Sequence, residues 1–97
     1  LSFLDMQGDL IVRRNAHGTV TFANEAVCQL AGKTANALLG SDFSFAVLEQ
    51  GDAATLPNGS PVFDQQIDTT TGPRWIAWRE GAVRGANGET EIQSVGR

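Results

Sequence analysis

The chain is poor in the residues that most often carry chemistry. Cys28 is its only cysteine and His17 its only histidine among 97 residues. A single cysteine excludes an internal disulfide framework and fits a reducing compartment. A single imidazole leaves no nucleophile–base–acid set, and no His/Cys/carboxylate cluster has metal-ligand spacing. The 7 Lys and Arg against 11 Asp and Glu give a net charge of −4. Those cations form no stripe of the kind that neutralises phosphates, so no nucleic-acid partner is expected. No apolar run approaches the roughly 20 residues that cross a bilayer, and no membrane contact is expected. Arg84-Gly-Ala-Asn-Gly88 lacks the Lys-Ser/Thr pair of a phosphate loop and reads as turn chemistry. The chain itself is therefore expected to be non-catalytic. It begins at Leu1, without an initiating Met or a signal peptide, and reads as a cytoplasmic module of a longer protein.

What is present is ordinary for a soluble domain: 41% hydrophobic and 19% charged residues. Residues 1–7, with Leu1, Phe3, Leu4 and Met6 apolar, read as the end of a helix entering from upstream. Residues 8–97 read as one domain. Leu10–Arg14 and Thr19–Ala23 form a predicted hairpin around Asn15-Ala-His-Gly18. Asn24 is placed to cap a helix over Glu25–Ala31 that stops at Gly32. Thr34 caps a second short helix to Leu39, and Ser41-Asp42 a third turn through Phe43, Phe45 and Leu48. Gly51–Ser60 reads as a loop. Strands follow at Pro61–Thr70, Trp75–Val83 and Glu89–Arg97. Asn87-Gly88 signals a two-residue type I′ hairpin between the last two.

The fold expected from this pattern is α+β: a five-stranded antiparallel sheet, order 2-1-5-4-3, with short helices on one face. The expected core is Leu10, Val12, Val20, Phe22, Val27, Leu30, Leu38, Leu39, Phe43, Phe45, Phe63, Ile67, Ile76, Trp78 and Ile92.

Gly18-Thr-Val-Thr-Phe-Ala-Asn-Glu-Ala26 is similar to the strand-to-helix junction of PAS (Per-Arnt-Sim) sensory domains. Leu30-Ala-Gly32 with Ala37-Leu-Leu-Gly40 resembles the helical segment of that family. Arg74-Trp-Ile-Ala-Trp78 and Asn87-Gly-Glu89 through Val95-Gly-Arg97 resemble its last two strands. The resemblance covers about Gly8 to Arg97. It implies a signal-input domain, most often of a sensor histidine kinase in a two-component system, working as a homodimer covalently linked to an output domain. The stretch between Gly40 and Val62 is shorter than the family's usual cavity lid, which argues against a large enclosed cofactor. The flavin-reactive cysteine motif is missing around Cys28, and His17 lies in a turn away from the family's haem ligand. No cofactor is expected, and the ligand class is a small organic molecule. Two alternatives stand beside this: a ligand-free dimerisation and relay module, and a small enzyme.

Side chains alternate along a strand. With the PAS orientation, alternation assigns Val12, Arg14, Phe22, Ile76, Trp78, Glu80, Ile92 and Ser94 to the cavity. It turns Trp75 and Ala77 outward, where with Leu1, Phe3 and Leu4 they make the candidate interface. An inward Glu80 needs a partner, and Arg14, on the inward register with Leu10 and Val12, is a candidate for it.

Overall fold

The computed structural model describes residues 8–97. Its framework is one antiparallel sheet of β1 (Leu10–Arg14), β2 (Val20–Ala23), β3 (Val47–Thr55), β4 (Pro61–Thr69), β5 (Gly72–Arg84) and β6 (Thr90–Gly96). The spatial order is β2-β1-β6-β5-β4-β3. Two short helices, α1 (Glu25–Ala31) and α2 (Ala35–Leu38), are the helical content among the described residues. The expected five-stranded α+β fold is thus corrected to a mostly β fold of six strands. The extra strand, β3, begins where a third helical turn was expected and runs on into the expected loop.

The reason lies in the composition of β3, Val-Leu-Glu-Gln-Gly-Asp-Ala-Ala-Thr. Gly, Asp and Ala are poor strand formers and the segment shows no alternation, so local sequence gives no strand signal. Pairing with β4 supplies it, through register shifts between Val47 and Glu49 and between Gln50 and Ala53. Every residue of this edge strand is exposed.

Three hairpins share one connection. In the β1–β2 turn, Gly18 N donates to Asn15 O and Asn15 N to Thr19 O. The same pair of bonds joins Leu56, Gly59 and Ser60 between β3 and β4, and Gly85, Gly88 and Glu89 between β5 and β6. Each glycine is left-handed, with φ of 80°, 88° and 84° respectively. Among the described residues no non-glycine residue has positive φ. Asn87 therefore cannot occupy a type I′ turn, which requires positive φ at both central residues. The hairpin falls where the sequence signals it, but as a turn followed by a left-handed glycine. Asn87 instead accepts from Glu89 N through Oδ1, at 3.0 Å.

Helix α1 is fastened at both ends. Asn24 Oδ1 accepts from Val27 N and from Ile11 N, both at 3.2 Å, while its Nδ2 donates to Asp9 O at 2.7 Å. One buried side chain thereby caps the helix and ties it to β1. At the far end Thr70, between β4 and β5, donates through Oγ1 to Gln29 O and through N to Leu30 O. The helix caps the cluster of Leu10, Val12, Val20, Val27, Cys28, Leu38, Ile67, Ile76 and Trp78.

Beyond α2 the chain bonds back to β2, through Gly40 N to Val20 O and Val20 N to Ser41 O. It then crosses the inner face of the sheet as an extended strap, reaching β4 where Asp68 N donates to Ala46 O. The strap carries Phe43 and Phe45, whose rings meet edge to face at 5.2 Å.

Several expected core positions are corrected. Phe22 is 41% exposed on the outer face, and Leu39 and Ile92 are 43% and 44% exposed. Phe22 is displaced by a bulge: Arg13 pairs with Phe22 but Arg14 with Val20, leaving Thr21 as the extra residue. An extra residue reverses the alternation beyond it. Phe22 accordingly lies beneath the Arg13 guanidinium, 5.5 Å from ring centroid to Cζ, and Thr21 Oγ1 donates to Glu91 Oε1. Leu39 is the residue immediately after α2, at the start of the strap, and its neighbour Leu38 takes the fully buried position.

Candidate functional site: a cleft between sheet and strap

Strand pairing sets out the floor of the site in rows. Val12 pairs with Ser94, and Ser94 with Glu80, so these side chains stand side by side across β1, β6 and β5. Gly96 pairs with Trp78, and Trp78 with Phe63, in the next row. The strap lies over these rows without filling the space beneath it. The result is a cleft of about 300 Å³ lined by Val12, Arg14, Ser44, Phe45, Val47, Phe63, Gln65, Trp78, Glu80 and Ser94. That volume is at the small end of the ~300–1,000 Å³ range of ligand pockets.

Gly96 gives Trp78 its place. A Cβ at position 96 would sit 2.7 Å from Trp78 Cζ3 and 2.6 Å from Ile76 Cγ2. The indole therefore lies flat across β6 where only a glycine fits. Trp78 is 7% exposed, and its Nε1 has no hydrogen-bond acceptor.

The polar groups of the cleft are only partly used. Ser94 Oγ donates to Glu80 Oε2 at 2.8 Å. Arg14 donates from one Nη to Phe43 O at 3.2 Å, which ties the strap to β1. Burial pushes the Arg14 guanidinium down from its ordinary range, while the charge of Glu80 works in the opposite direction. The two feel each other without touching. The ion pair closed to 4 Å among the described residues is a different one, Arg97 Nε to Asp9 Oδ1 at 3.2 Å. Arg14, the candidate partner on that register, is not bonded to Glu80, and Ser94 is the neighbour that Glu80 holds.

Five of the expected cavity residues, Val12, Arg14, Trp78, Glu80 and Ser94, come together here. Phe22 is on the opposite face, as described. Ile76 is buried in the core one row from the cleft, its side chain against Gly96. Ile92 pairs with Arg14 and Ala82 beyond the cleft's end and is half-exposed. Ser44, Phe45, Val47, Phe63 and Gln65 were not assigned to the cavity by alternation. They come from the strap and from β3 and β4, and only Phe63 and Phe45 carried a sequence signal, as apolar residues expected in the core.

Of the candidate interface residues, Leu1, Phe3 and Leu4 lie outside the described residues. Trp75 and Ala77 are exposed on the outer face. Trp75 is 50% exposed and rests on β3, where a Cβ on Gly51 would come within 3.1 Å of its Cζ3. His17 is exposed in the β1–β2 turn, and Cys28 is buried on α1 against the core. Among the described residues no helix is long and apolar enough to cross a membrane. Compared with known proteins, the chain matches no family model, no curated protein and no solved structure.

Proposed function

We propose that this chain is a small-molecule-binding input module, with the cleft between sheet and strap as its binding site. The single observation that carries this reading is a cleft of about 300 Å³ whose lining brings Arg14 and Glu80 together among apolar side chains. A structural core has no use for two incompletely bonded charges on one open cleft. The strap is the element through which occupancy would be transmitted, because Arg14 in the cleft holds it at Phe43 O. A ligand that engages Arg14 acts on the side chain that holds the strap, so occupancy and strap position are coupled.

The wider setting rests on the sequence resemblance to PAS domains alone, since the six-stranded sheet departs from the fold expected of them: a cytoplasmic, dimeric module feeding a covalently linked output domain such as a histidine kinase. The second reading, a ligand-free dimerisation and relay module, draws on the exposed Trp75 and Ala77 on the outer face. Native mass spectrometry separates the two. A small molecule retained by the purified domain and lost from Ser94→Leu supports the input reading, because the leucine would occupy the cleft. A dimer with no retained molecule in either protein favours the relay reading.

A further inference from the structure

The cleft combines groups of opposite demand. Arg14 offers N–H donors beyond the one spent on Phe43 O, since a guanidinium carries five. These call for an anionic or carbonyl oxygen. Glu80 calls for the reverse: Oε2 accepts from Ser94 and Oε1 is left for a donor. Between them the walls are apolar and aromatic, from Val12, Phe45, Val47 and Phe63.

Resting on the reading of the cleft as a binding site, we propose that its ligand is a small zwitterion of the α-amino-acid type. Its carboxylate engages Arg14, its ammonium engages Glu80, and an apolar side chain lies against Phe45 and Phe63. A molecule with one charge leaves the opposite protein charge desolvated and unpaired, which costs more than its own missing contact. A neutral apolar molecule leaves both unpaired. The zwitterion alone satisfies every open group, and the low volume of the cleft restricts it to a single residue rather than a peptide.

Three matched probes test this: phenylalanine, 3-phenylpropionate, which lacks its ammonium, and 2-phenylethylamine, which lacks its carboxylate. Each is titrated into the ¹⁵N-labelled domain, and dissociation constants are read from the amide shifts of Val12, Phe63 and Ser94. Phenylalanine is expected to bind at least about tenfold more tightly than either analogue, the scale of one charge-assisted contact. In Glu80→Gln that advantage over 3-phenylpropionate disappears while 3-phenylpropionate itself binds no more weakly. In Arg14→Gln the advantage over 2-phenylethylamine disappears instead. A merely structural role for these residues would weaken all three probes together. Equal binding of the three probes to the wild-type domain at the cleft overturns the zwitterion and leaves the binding site standing. No shift at the cleft with any of them overturns the zwitterion, and no retained molecule in native mass spectrometry then removes the binding site as well.

Discussion

Ser94 and Glu80 face each other across paired positions of β6 and β5, and the serine hydroxyl holds Glu80 Oε2 at 2.8 Å. The bond fixes one oxygen of the carboxylate and leaves the other turned to the cleft. Ser94→Ala should release it at a cost of about 1 kcal/mol, the usual net worth of such a hydrogen bond. The folded sheet should survive. Thermal denaturation checks the cost, and a loss above about 3 kcal/mol would mean that Ser94 supports more than this one contact.

Gly96→Ala should be far more damaging. Its Cβ would come within 2.8 Å of Ile76 Cγ2 and of both Trp78 Cε3 and Cζ3. An overpacked core of this kind costs about 1–3 kcal/mol. Chemical denaturation should place the variant in the upper part of that range, because the obstacle is a buried ring rather than the tip of a flexible chain. The same variant should shift the Trp78 indole resonance by displacing the ring toward the cleft.

Asn24→Ala removes the helix cap and two further bonds at once, leaving Ile11 N–H and Asp9 C=O buried without that partner. A lost cap costs about 1 kcal/mol, and each orphaned buried group about 1–3 kcal/mol. The variant should lose at least about 2 kcal/mol. Asn24→Asp keeps the capping oxygen but forfeits the donor to Asp9 O. It should fall between wild type and Asn24→Ala, and an aspartate as stable as wild type would show that the Nδ2 bond contributes nothing.

Arg14 should trade stability against binding. Burial lowers its pKa in the folded state, so the folded protein binds that proton less tightly than the unfolded chain does. The charged side chain therefore opposes folding at every pH below its folded pKa, which includes the whole neutral range. Arg14→Leu is expected to melt at or above the wild-type temperature while losing affinity for 3-phenylpropionate. A markedly lower melting temperature would show that its bond to Phe43 O outweighs the burial of its charge.

How much of this was open to reading from the sequence follows from what each element depends on. Helix α1 was legible because Asn24 and Gly32 are local signals, as was β1, whose apolar run is bounded by turn residues. Val12, Arg14, Trp78, Glu80 and Ser94 were legible as one face because strict alternation holds along β1, β5 and β6. Phe22 was not, because the extra residue Thr21 reverses the parity of β2, and nothing in Thr-Val-Thr-Phe marks a bulge. Strand β3 was hidden for the opposite reason: its own residues disfavour a strand, and only β4 makes it one. Missing β3 also meant missing the far wall of the cleft, since Val47 and the course of the strap past Ser44 and Phe45 depend on where that strand docks.

The central claim is that the cleft beside Trp78 receives a small zwitterion. Trp75 and Trp78 are the only tryptophans, so the two indole N–H resonances of the labelled domain report the two faces of the sheet separately. On titration with phenylalanine, the Trp78 resonance should move in a saturable way as the ligand settles against the indole, while that of Trp75 stays in place. A Trp78 resonance that remains still while Trp75 moves, or two that both stay fixed at saturating probe, would contradict the account.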